Sequence, residues 1–149
     1  MRLGNERFIY LVSYKKIMKI EHHLENLKES IREVESAVKE GLIHKQRTLG
    51  FHSSSAAIDM LEIILHKNKL IDPGFVIKHE WLNAKRKTEE KLPFCFSKKD
   101  EILKSIMRIE AVRNRLCYGK RGEEKELEEI AKEFFKLKEL FVEVAGYEL

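Results

Sequence analysis

Helix breakers are scarce in this chain: two prolines and seven glycines in 149 residues. Few turns can therefore interrupt it, and helix formers (Glu, Lys, Leu, Ala) dominate the remainder, which predicts an all-α fold. Long apolar runs are missing as well. The stretch FIYLV (Phe8–Val12) is far too short to span a bilayer or to form a signal-peptide core, so no membrane association is expected. Cys95 and Cys117 are the only cysteines, and without a secretion signal they read as reduced thiols of a cytoplasmic protein. Glutamine is nearly absent (Gln46 alone) while lysine and glutamate abound, a thermophile-like composition.

Several chemistries are excluded by what the six histidines and the glycines do not form. HEWLN (His79–Asn83) begins like a zinc-protease helix, but Asn83 stands where the second histidine belongs. His22 and His23 are neighbours on a helix and point about 100° apart, and His44, His52 and His66 fall into no ligand spacing. Surface or hydrogen-bonded histidines are expected, with no metal and no cofactor. GKRGEE lacks the spacing and the preceding strand of a phosphate loop. Ser53-Ser54-Ser55 lacks the context of a nucleophile elbow and reads as a helix–helix contact, and Trp81 reads as an anchor of the core or an interface.

What is present is helical periodicity. Ile17, Ile20, Leu24, Leu27, Ile31, Val34 and Val38 recur at alternating steps of three and four, with Phe8, Leu11 and Val12 extending the stripe backwards and Gly41 as its stop. A second helix from about Thr48 to Leu70 opens with small residues that permit close approach, and its second half is apolar nearly all round, as in the most buried element of a bundle. Asp72-Pro73-Gly74 is a turn. A short helix carries Trp81 and Leu82, a loop follows around Pro93, and Ser97 with Asp100 fits a capping box opening a helix that runs to Tyr118. The last helix carries Leu127, Ile130, Phe134, Leu137, Phe141 and Val144. Residues 1–149 thus predict one domain, an up-and-down bundle of four main helices plus a short one.

Charge is unevenly placed. The net charge is +4, and the segment Arg108–Arg121 alone supplies that excess through Arg108, Arg113, Arg115, Lys120 and Arg121 against Glu110. Such a patch beside a glutamate-rich final helix suits an anionic ligand such as RNA. Equally, basic side chains at a helix end favour the negative end of the dipole. Arg113 falls on the apolar stripe Ile102, Ile106, Ile109, Leu116, where an arginine is buried and paired, with Glu110 one turn back as the partner, or else faces a cleft.

The helix containing Ala56-Ala57-Ile58-Asp59, Leu61 and Ile63-Ile64-Leu65-His66-Lys67, then a turn, then a helix ending in Glu110, Val112-Arg113-Asn114 and Tyr118, resembles the HEPN superfamily. The likeness is loose from about Ile17 to Val144 and tight around Glu110–Gly119. It implies a HEPN-like helical bundle and a homodimer that brings two copies of a short motif into one cleft. That motif is an arginine, a polar residue (often asparagine) and, after four to six intervening residues, a histidine. Members carrying it are commonly metal-independent ribonucleases, often toxins paired with an antitoxin. Carried across, the catalytic positions are Arg113, Asn114 and Tyr118, with Arg115, Lys120 and Arg121 guiding the RNA. An antitoxin or a nucleotidyltransferase is the implied partner.

Tyr118 occupies the histidine position, and no histidine follows Arg113. A phenol, ionised at about one part in a thousand at neutral pH, is a poor general base, although it can donate to phosphate or stack on a base. Five residues along a helix also leave Arg113 and Tyr118 about 140° apart. The alternative to an RNA-cleaving or RNA-binding protein is therefore an inactive HEPN-like scaffold for dimerisation or partner binding.

Overall fold

A computed structural model describes the backbone of residues 3–149 and the side chains from residue 20 onward. The stripe positions Phe8, Leu11, Val12 and Ile17 lie outside the described side chains. The elements are α1 (Leu3–Glu40), α2 (Gln46–Lys67), α3 (Lys85–Lys91), α4 (Lys99–Tyr118) and α5 (Glu124–Ala145), with short 3₁₀ turns at Leu42–His44 and His79–Leu82. Among the described residues there is no strand, and no helix is long and apolar enough to cross a membrane.

The expected periodicity becomes packing. On α1 the buried face runs through Leu27, Ile31 and Val34. It ends at Ala37 rather than Val38, which is exposed where the helix approaches its stop. That stop is Gly41, at φ 105°, a left-handed conformation in which any side chain would be strained. Every residue of α2 from Ala56 to His66 is buried, because α1, α4 and α5 all pack against this helix. Close approach is expected at residues 53–57; the tightest contact lies one turn earlier, at Gly50. A Cβ built there would lie 2.7 Å from Leu116 Cβ and 3.2 Å from Cys117 Sγ on α4.

Cross-helix contacts give the directions. Ser30 meets His52, and His23 meets Asp59, so α1 and α2 are antiparallel. Ser54 meets Glu110 while Gly50 faces Leu116, so α2 and α4 are antiparallel. Ser105 meets Glu133 and Arg115 meets Glu126, so α4 and α5 are antiparallel as well. The result is the expected up-and-down bundle of four main helices with one core drawn from all four.

One local expectation fails. Ser97 and Asp100 form no capping box. Lys98 precedes α4 in a left-handed conformation (φ 57°) and no side chain caps the first turn, so Asp100 and Glu101 contribute only their charge to it. Trp81 and Leu82 do fall on a short helix, the 3₁₀ turn His79–Leu82 that precedes α3. There Trp81 is half-buried against Phe75 (ring centroids 5.8 Å apart). At Asp72-Pro73-Gly74 the turn forms as expected, closed by the Phe75 N–H donating to Asp72 O at 2.9 Å.

Candidate functional site

Arg113 and Asn114 line a cleft of about 510 Å³ together with Lys78, His79, Glu80, Asn83 and Glu110. Two elements build it: the last turns of α4, and the 3₁₀ turn that the loop after α2 lays across them. Glu110 points inward from α4 and is 5% exposed. A carboxylate so buried requires donors. It receives Ser54 Oγ–H from α2 at 2.6 Å and His79 Nδ1–H from the 3₁₀ turn at 2.9 and 3.1 Å to its two oxygens.

This overturns the pairing of Glu110 with Arg113. The Glu110 carboxylate is satisfied instead by Ser54 and His79. Arg113 is half-buried, donates Nη1–H to Asn114 Oδ1 at 3.2 Å, and has no carboxylate within ion-pair reach among the described residues. It is the arginine facing a cleft, not the buried and paired one.

The histidine arrangement follows from these bonds. With Nδ1–H held by a carboxylate, the Nε2 lone pair of His79 is left as the ring's basic atom, and the side chain is 37% exposed at the cleft. Ser54 has no nucleophile geometry, because it approaches the same Nδ1 edge (3.1 Å) and is fully buried. A proton-accepting nitrogen, a guanidinium and an amide thus share one concave surface. Sequence reading tested His79 only as a zinc ligand. Its meeting with Glu110, 31 residues away, has no local signature.

Tyr118 does not join this group. It is 74% exposed and lines a separate hollow of about 280 Å³ with Gln46, Arg47, Leu116, Cys117, Gly119 and Arg121. The separation agrees with the angle expected along the helix. Arg115 is engaged by Glu126 of α5 through both guanidinium nitrogens, one of them at 3.1 Å, so its charge is largely answered within the chain. Lys120 and Arg121 are exposed. Their loop is held by Gln46, which donates Nε2–H to Leu116 O (3.3 Å) and Lys120 O (2.9 Å) and accepts the Gly122 N–H at 2.6 Å.

A second polar cluster lies between α1 and α2. His23 is held at Nδ1 by Asp59 Oδ1 (2.7 Å) and at Nε2 by Glu62 Oε2 (2.6 Å), and Glu62 Oε1 accepts the Ile77 N–H at 2.9 Å. Burial alone would lower the pKa of His23, but the two carboxylates outweigh it and raise the imidazole to about 9. Burial also pushes the Asp59 carboxyl above its usual range, partly offset by His23. His66, 1% exposed, stacks beside His23 with ring centroids 6.3 Å apart. His66 is therefore no surface histidine. The signal for it was present, since Glu62 and His66 are four apart on one helix face. His52 fits the hydrogen-bonded reading through Ser30 (3.1 Å), and His22 and His44 are exposed.

Both cysteines are free, Cys95 exposed and Cys117 buried, and burial raises the thiol pKa of Cys117. No protein-family model, curated protein or solved structure matches the chain.

Proposed function

We propose that this chain is a HEPN-like cytoplasmic protein that binds RNA and cleaves it without a metal, with His79 supplying the proton transfer that Tyr118 cannot. One observation carries the reading: His79 is oriented by the buried Glu110 at 2.9 Å on the cleft that Arg113 and Asn114 also line. In the reaction, His79 Nε2 takes the proton of a ribose 2′-hydroxyl as that oxygen forms a bond to phosphorus. Arg113 neutralises the charge of the phosphorane, which its planar fork suits, and Asn114 holds the guanidinium in place. The bond from phosphorus to the 5′-oxygen breaks, and that oxygen takes a proton from solvent at the open cleft, leaving a 2′,3′-cyclic phosphate. Glu110 keeps the imidazole in the tautomer that accepts at Nε2. Lys78, Lys120 and Arg121 draw in the polyanion. A homodimer joins two such clefts, and an antitoxin or nucleotidyltransferase is the kind of partner that would restrain it.

The second reading is a non-enzymatic HEPN-like scaffold. It is favoured by the exposure of Tyr118 in a hollow apart from Arg113. One experiment separates the two: incubation of single-stranded RNA with wild type, Arg113→Ala, His79→Gln and Tyr118→Phe, with chelator present and folding checked by circular dichroism. We expect cleavage to cyclic-phosphate ends by wild type. Loss of about 10²-fold or more is expected for His79→Gln and Arg113→Ala, and little loss for Tyr118→Phe. RNA bound but left intact by the folded wild type would leave the scaffold.

A further inference from the structure

We infer that His23, Glu62 and His66 form a binding site for one divalent transition-metal ion, Zn²⁺ above all, that fastens α1 to α2. Each of the three offers a ligand atom, and these atoms lie within 4.8 Å of one another. The site is distinct from the cleft around Arg113 and shares no residue with it.

The donor set argues for the class of ion. Two imidazole nitrogens and one carboxylate oxygen suit a borderline cation such as Zn²⁺, whereas Mg²⁺ and Ca²⁺ seek oxygen alone. Burial argues against a coincidence of surface acids. Glu62 is 3% and His66 1% exposed, and the side chain of His23 is 13% exposed. The surrounding bonds already aim the ligands. Asp59 Oδ1 holds the far nitrogen of His23 at 2.7 Å, the carboxylate–histidine arrangement that orients a metal-bound imidazole. The Ile77 N–H holds Glu62 Oε1 at 2.9 Å and leaves Oε2 directed at His23.

The required movement is small. Ligands around a tetrahedral Zn²⁺ at about 2.0–2.2 Å stand about 3.3–3.5 Å apart. His23 Nε2 and Glu62 Oε2, now 2.6 Å apart, must part by under about 1 Å, while the widest pair closes by up to about 1.5 Å. The ion would sit between His23 Nε2 and Glu62 Oε2. Because His23 comes from one helix and the other two ligands from the next, the bound ion resists separation of α1 from α2.

The test is titration of the folded, chelator-treated full chain with Co²⁺, read by its visible ligand-field absorption, and with Zn²⁺, read by calorimetry and by melting temperature. Wild type should bind one equivalent and melt at a higher temperature. His66→Gln and Glu62→Gln should each weaken binding by at least about tenfold and lose the upward shift. Asp59→Asn, which removes only the orienting carboxylate charge, should weaken binding about tenfold with the stoichiometry kept. His22→Gln and His44→Gln, at exposed positions, should bind as wild type does. Absence of one-equivalent binding by folded wild type would overturn the site even if the ligand variants do not fold. So would unchanged binding by His66→Gln, or loss of binding in His22→Gln or His44→Gln.

Discussion

At the scale of the residue, two histidines are each bound by carboxylates, and the consequences differ. His79 is tied at one nitrogen and presents the other to the cleft. His23 is tied at both, and its charge is coupled to folding. Its pKa rises from 6.5 to about 9 in the metal-free fold, so the folded state binds the proton more tightly than the unfolded chain. That stabilisation is complete below about pH 6.5 and disappears as pH rises through about 9, with a ceiling near 3 kcal/mol. In chelator, the urea midpoint of wild type should therefore fall between pH 6.5 and 9.5, and that of His23→Asn should fall less. A midpoint difference between the two that is constant across the range would remove the coupling. Neither histidine's partner is sequence-local: Asp59 lies 36 residues from His23 and Glu110 lies 31 from His79. For that reason the candidate arginine and asparagine were readable from a motif, while the histidine beside them was not.

At the scale of the element, α2 decides how the others sit. Its small residues let α4 approach until Gly50 has no room for a Cβ, with Leu116 Cβ at 2.7 Å. Two effects oppose each other in Gly50→Ala. Helix propensity favours alanine by about 1 kcal/mol, and overpacking costs about 1–3 kcal/mol. The clash falls on Leu116 Cβ, which rides on the α4 backbone and cannot swing away, and on Cys117 Sγ, so we expect it to win. Gly50→Ala should destabilise by about 1–2 kcal/mol in urea unfolding, and Gly50→Ala with Leu116→Gly, which removes the clashing Cβ, should show a coupling that recovers part of the clash. Stabilisation by Gly50→Ala alone would show that the helices are free to part. Periodicity made α1, α2, α4 and α5 legible, because a core-facing stripe repeats with the helix itself. The start of α4 was not, since Ser97 and Asp100 have capping identity but Lys98 adopts the left-handed backbone between them.

At the scale of the molecule, four large apolar side chains are exposed at one end of the bundle: Val38, Ile43, Phe51 and Tyr118. They share that end because α1 ends, α2 begins and α4 ends there. Arg47 and Arg121 share that end with Tyr118. Exposed apolar side chains at an end that also carries cations offer a seam for a second copy. We expect a dimer by light scattering at micromolar concentration, dissociated by Phe51→Glu, and a monomeric mass for wild type across that range would remove the joined-cleft arrangement.

Gln46 sits at this same end with one side chain holding three backbone groups, and it is the chain's only glutamine. Slow hydrolysis of its amide would strike the loop that carries Lys120 and Arg121. Conversion to glutamate would replace the donating nitrogen by an anionic oxygen facing the carbonyls of Leu116 and Lys120, so attraction would become repulsion at two contacts together. Gln46 is 1% exposed, and the water needed for that reaction is largely kept out. Loss of this one amide in heat is accordingly governed by how often the α4–α5 corner opens, rather than by the intrinsic lability of the group.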